Sequence, residues 1–261
     1  MLKIPEFNTK KELYTFLVEN KQVLISQKCS AIKCGDGFGA NITVIKSGIV
    51  GKSNSEDNTN EILIKAVINT TGIMDSHGDV HIKGIWNKSL KENKRIMHLQ
   101  EHKSGSFDKI ISSGADLKAY VKDYSWKDLG YDAEGETQAL VFESLVKNSR
   151  NPYMFNQYKN GYVDNHSVGM QYVKLELAIN DKEYEKEKDF WDKHIGAVVN
   201  AKDAEAKGYF WVVSEAKAIE GSAVPNGSNS VTPTLPTSKE ENYFGGTDKD
   251  LEAFKAFLNI T

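Results

Sequence analysis

Five stretches of the chain alternate β-branched or aromatic residues with polar ones. They are Glu61 to Asn69 (EILIKAVIN), Leu117 to Trp126 (LKAYVKDYSW), Thr137 to Val146 (TQALVFESLV), Ser167 to Ile179 (SVGMQYVKLELAI) and Tyr209 to Ile219 (YFWVVSEAKAI). Successive strand side chains point to opposite faces, so a run with period two buries one face only by joining a sheet. Five such runs call for a sheet-rich core. The helical signals around them are short, which makes the expected class α+β.

Thr9 and Glu12 have capping-box spacing, and Leu13, Phe16, Leu17, Val23 and Leu24 follow at helical intervals, predicting an amphipathic helix over residues 9–25. Residues 35–60 are rich in Gly, Ser, Asn and Asp, interrupted by an apolar stretch at 41–45 that reads as a strand. Residues 1–60 therefore read as an elaboration preceding a main domain at 61–224. Within that domain, Pro152 to Asn160 begins on Pro after Asn151 and stops at Gly161, a short helix with both boundary signals. The charged segment 181–207 carries Tyr184, Trp191, Ile195 and Val198 on one helical face, predicting an inserted surface helix, mostly solvated. Three of the five prolines, Pro225, Pro233 and Pro236, lie just beyond, so 225–261 reads as a flexible linker and tail with a brief helix at 248–258.

A chain of 261 residues builds a core without disulfides or metals, and 39% hydrophobic with 26% charged residues is the balance of a globular protein. Cys29 and Cys34 have four residues between them, not the two of a redox pair or zinc knuckle, and read as free thiols in a reducing cytoplasm. A formal charge of -3 and a pI near 6.1 provide no basic face for nucleic acid. No run approaches the ~20 apolar residues of a membrane-spanning helix. The amino terminus has no basic segment leading into an apolar stretch, so no secretory signal is expected.

Three generic signatures are missing: a G-x-S-x-G elbow, a phosphate-cradling loop ending in Lys-Ser/Thr, and an H-E-x-x-H helix. Two His-x-x-x-His pairs stand out, His77/His81 and His98/His102, with Asp75, Asp79 and Glu101 nearby. Either a helix or a strand places such a pair on one face, so a metal-dependent hydrolase is one reading. A second feature is Asn165-His166-Ser167-Val168-Gly169-Met170, where a serine opens a strand and Gly169 permits close approach of another backbone. His166 is no base for Ser167, because neighbouring strand side chains diverge. A third is Glu220-Gly221-Ser222-Ala223-Val224, a carboxylate at the end of an apolar strand, suited to orienting an imidazole.

In order, these segments resemble the prohead proteases of tailed bacteriophages, serine peptidases similar to herpesvirus assemblin. The matching wording is Gly72-Ile73-Met74-Asp75-Ser76-His77-Gly78-Asp79-Val80, the strand 95–103 with its histidines, the helix followed by Ser167-Val168-Gly169-Met170, and Glu220-Gly221-Ser222-Ala223-Val224. The likeness spans residues 61–229. Gly221 departs from it, standing where the family usually has a β-branched residue.

The resemblance implies a predominantly antiparallel β-barrel core flanked by short helices. It also implies Ser167 as nucleophile, His102 as general base and Glu220 as acidic orienter, with His98 and Glu215 as competitors for the last two roles, and no cofactor or metal. Expected substrates and partners are scaffold segments, the major capsid protein and further copies of the chain, with self-cleavage in the linker. The expected location is the host cytoplasm, inside the procapsid; neither nucleic acid nor membrane is a partner. A non-catalytic protease-like assembly protein is the alternative from another class.

Overall fold

A computed structural model describes residues 3–33, 60–93 and 95–236. Two helices, α1 (Lys10–Glu19) and α2 (Lys21–Ser30), lead into strand β1 (Ile32–Lys33). The main body then runs β2 (Glu61–Thr70), β3 (Asp79–His81), α3 (Asn87–Glu92), β4 (Met97–Gln100), β5 (Ile110–Ser113), β6 (Leu117–Ser125), β7 (Glu136–Lys147), α4 (Pro152–Lys159) and β8 (His166–Ile179). It closes with α5 (Glu185–His194), α6 (Ala201–Lys207), β9 (Tyr209–Ala223) and β10 (Thr234–Leu235). Cys34, the strand expected at 41–45 and the helix expected at 248–258 fall outside the described residues; Cys29 is a free thiol.

All five alternating runs are strands, and the class is α+β. They do not form a closed barrel. One sheet has six strands, ordered β1-β8-β9-β4-β5 with β3 also on β9, and the other has four, ordered β10-β2-β7-β6. The closed barrel expected from the resemblance is therefore corrected to two sheets packed together, joined through a core that includes Ile68, Leu140, Phe142, Val168, Leu177 and Trp211. Most pairings are antiparallel, with β3 and β4 parallel to β9.

The longest strand, β9, organises the first sheet. On one edge it pairs with β8 from His166↔Ala223 to Ile179↔Tyr209. Its other edge takes β3 opposite Trp211 to Val213 and β4 opposite Glu220 to Ala223. Between those two, α3 and its approach satisfy the β9 backbone. The Ala216 N–H donates to the Ile85 carbonyl (3.4 Å), the Ala218 N–H to Ser89 Oγ (2.8 Å), and Asn93 Nδ2 to the Ala218 carbonyl (2.7 Å).

The helix expected over 9–25 is two helices, broken at Asn20. Its side-chain and backbone N–H groups both cap the Phe16 carbonyl, at 2.9 and 3.0 Å. Tyr14, Leu17 and Leu24 are buried in the main core, so this region is part of the body rather than an appendage.

The charged segment 181–207 is likewise docked. Trp191, Val198 and Ala204 are buried with Phe210 and Val212 of β9. Nor does the body end at 224. Val231, Thr232 and Thr234 are buried, β10 pairs with β2, and the Val67 N–H donates to the Pro233 carbonyl (2.9 Å). A proline at this sheet edge is tolerated because only its carbonyl is used.

Candidate functional site

The two faces of the β8–β9 ladder carry different chemistry. Ser167 pairs with Ser222 and Gly169 with Glu220, which places Ser167, Ser222 and Glu220 on one face. Val168 pairs with Gly221, which also pairs with His98 of β4, and these belong to the opposite, inner face. A Cβ on Gly221 would lie 2.5 Å from Phe142 and 2.9 Å from Ile68. The glycine that departs from the family pattern is thus required by the close approach of the second sheet.

Strand β4 ends at Gln100, and the next two residues, Glu101 (φ 52°) and His102 (φ 57°), are both left-handed. Such a conformation costs a non-glycine residue ~1–2 kcal/mol. It turns the chain so that His102 lies over the outer face of β9. His102 Nδ1 is 2.5 Å from Glu220 Oε1, and the His102 N–H donates to Ser222 Oγ (3.0 Å). Ser222 Oγ in turn donates to Glu220 Oε2 (2.6 Å). Both carboxylate oxygens therefore have a donor, and with Nδ1–H facing Glu220 the lone pair of the neutral ring sits on Nε2.

Gly169 makes room for this arrangement. A Cβ there would lie 2.0 Å from Glu220 Oε1. Glu220 is 4% exposed, Ser167 4% and the His102 side chain 10%, so the group is nearly dry. Among the described residues no side chain, His102 included, hydrogen-bonds the Ser167 hydroxyl.

The competitors are placed elsewhere. Glu215 forms ion pairs with Lys88 (3.0 Å) and Lys174 (3.1 Å), and these hydrogen-bonded lysines hold its carboxyl below the usual range. His98 is wholly buried, with Nδ1 2.9 Å from Ser144 Oγ and Nε2 3.2 Å from the Tyr158 hydroxyl. That hydroxyl also lies 3.0 Å from His166 Nε2, while His166 Nδ1 lies 2.9 Å from the Thr232 carbonyl.

The carbonyl can only accept, which fixes the direction of the whole inner chain. His166 Nδ1–H donates to it, Tyr158 donates to His166 Nε2, His98 Nε2–H donates to Tyr158, and Ser144 donates to His98 Nδ1. Desolvation lowers His166 to about 4, and pushes His98 well below its ordinary value, aided by the neighbouring His166. Both rings are neutral at physiological pH.

The two His-x-x-x-His pairs do not converge. His77 is exposed in a turn. His81 is buried, with Nδ1 2.9 Å from Asn69 Nδ2 and Nε2 3.1 Å from the Tyr172 hydroxyl, which donates to Asp79 (2.8 Å). Asp79 is ion-paired to Lys28 (2.5 Å). Among the described residues no group of three or more His, Cys, Asp or Glu could hold a metal ion. No described helix is long and apolar enough to cross a membrane.

Sequence reasoning named Ser167, His102 and Glu220 but passed over Ser222. Its signal was the Glu-x-Ser spacing, which period two places on one face. Comparison of the chain with family profiles, curated proteins and solved structures found no match in any of the three.

Proposed function

We propose that the protein is a serine endopeptidase of the prohead-protease kind, with Ser167 as nucleophile, His102 as general base and Glu220 as its orienter. The observation that carries this reading is the His102–Glu220 pair at 2.5 Å, held over Ser222, the residue directly opposite Ser167. Three side chains from β8, β9 and the turn after β4 share one sheet face, and no metal or cofactor is invoked.

In this reading His102 Nε2 takes the Ser167 proton as Oγ attacks the peptide carbonyl carbon. The tetrahedral adduct collapses as the protonated ring passes a proton to the leaving amine. Water then repeats the sequence on the acyl-enzyme, and Glu220 stabilises the imidazolium in both halves. Base assistance of this type contributes ~10²- to 10⁴-fold to the rate. Scaffold segments and capsid-protein extensions are the substrates that the sequence resemblance proposes, with self-association and action inside a procapsid in the host cytoplasm. Asn229 and residues 231–234 are buried, which disfavours self-cleavage at those positions.

The test is co-expression of the full chain, or its Ser167→Ala variant, with capsid and scaffold proteins, alongside labelling of both by a fluorophosphonate. Processing and labelling are expected of the wild type and of no Ser167→Ala protein. Full processing by the variant overturns the reading, and a folded wild type that neither labels nor processes points to a non-catalytic assembly role.

A further inference from the structure

We infer that Ser222 is a positioning residue that locks the His102–Glu220 pair, acting through both partners at once; only the kinetic arm of its test rests on the peptidase reading. Its hydroxyl has one proton to give and gives it to Glu220 Oε2 (2.6 Å), because the carboxylate can only accept. The same oxygen accepts the His102 N–H (3.0 Å). One hydroxyl therefore fixes the second carboxylate oxygen and the backbone of the residue whose ring meets the first.

Three further observations support this role. Ser222 is fully buried and lies between β8 and β4 as the partner of both Ser167 and Leu99, so its side chain is confined by neighbouring strands. The His102 backbone is left-handed, a conformation that persists only where surrounding contacts over-determine it. Its own N–H bond to Ser222 is one such tie, alongside the Glu101 N–H bond to the Ala223 carbonyl (3.0 Å). Finally, Gly169 leaves room for the Glu220 carboxylate, whose two oxygens are met by His102 and Ser222. Replacing Ser222 by alanine removes the hold on the second carboxylate oxygen and leaves the partly buried His102 N–H without its acceptor.

The experiment compares wild type, Ser222→Ala and Ser222→Thr by two readouts. The first is the low-field proton resonance of His102 Nδ1–H, assigned by its loss in His102→Gln, which requires no turnover. The second is fluorophosphonate labelling of Ser167. In Ser222→Ala the resonance should move or broaden away, and the limiting labelling rate should fall roughly 10- to 100-fold with little change in half-saturating probe. Ser222→Thr, which keeps the hydroxyl, should recover both. If alanine does not fold, Ser222→Cys keeps the volume with a weaker donor and should show the same losses in smaller degree. An alanine variant that melts earlier yet keeps resonance and rate overturns the proposal in favour of a purely structural serine. If wild type is never labelled, the peptidase reading fails, and the resonance alone decides the role of Ser222.

Discussion

The β8–β9 ladder carries histidine chemistry on both of its faces, and the two sides are built to opposite ends. On the outer face, His102 meets a carboxylate and keeps one edge toward solvent. On the inner face, His98 and His166 share the Tyr158 hydroxyl in a sealed chain ending on a carbonyl. The outer ring has an anion to stabilise a proton it acquires. The inner rings have only neutral partners, so gaining a proton there is penalised. The same residue type thus sits beside a carboxylate on one side and in a neutral hydrogen-bond chain on the other.

Gly169→Ala should break the outer half most selectively after loss of Ser167 itself. The added methyl must displace the Glu220 carboxylate, and misplacement on that scale costs ~10²-fold in rate. Labelling kinetics with an unchanged fold by circular dichroism would check this, and wild-type kinetics would refute the placement of Glu220. His98→Ala should do the reverse. It removes one partner from the Ser144 and Tyr158 hydroxyls, which retain Ser112 and His166, and opens a void, costing ~2–4 kcal/mol in urea unfolding while the folded fraction still labels at near the wild-type rate. A His98 variant that folds normally but cannot be labelled would exchange the roles of the two histidines.

A third prediction concerns acid. Unfolded histidines take up protons near pH 6.5, whereas folded His166 does so only near 4 and His98 also well below its ordinary value. Between those limits the unfolded chain binds more protons, so stability present above pH 6.5 is lost as pH falls toward 4. His166 alone accounts for roughly 3 kcal/mol over that range. Denaturant midpoints at pH 7, 6 and 5 measure the slope; a flat profile would contradict the neutral inner chain.

The strands were legible because period two is written into them, and so was the short helix from Asn151 to Asn160, whose side-chain cap and proline start are local. That His102 rather than His98 meets Glu220 was not. What brings them together is a left-handed turn at Glu101 and His102, built without the glycine or asparagine that usually announces one. Glu215 and Glu220 were equally ambiguous, since irregularities in the β8–β9 register between them reset which side chains share a face. Residues 225–235 read as linker from their prolines, yet Pro233 serves as an acceptor at a sheet edge. In segment 181–207 the apolar face was visible, but the surrounding charge concealed that Trp191 is buried.

One edge of β9 is shared by three separate pieces of chain: β3, the polar ends of α3, and β4. The strand is consequently stitched rather than zipped, and its amides should exchange with deuterium in three blocks instead of one cooperative unit. Glu220 to Ala223 depend on β4 for their block, so a fluctuation that peels β4 away would carry the imidazole off with it. The lifetime of that short seam then sets how long the assembled site persists between openings.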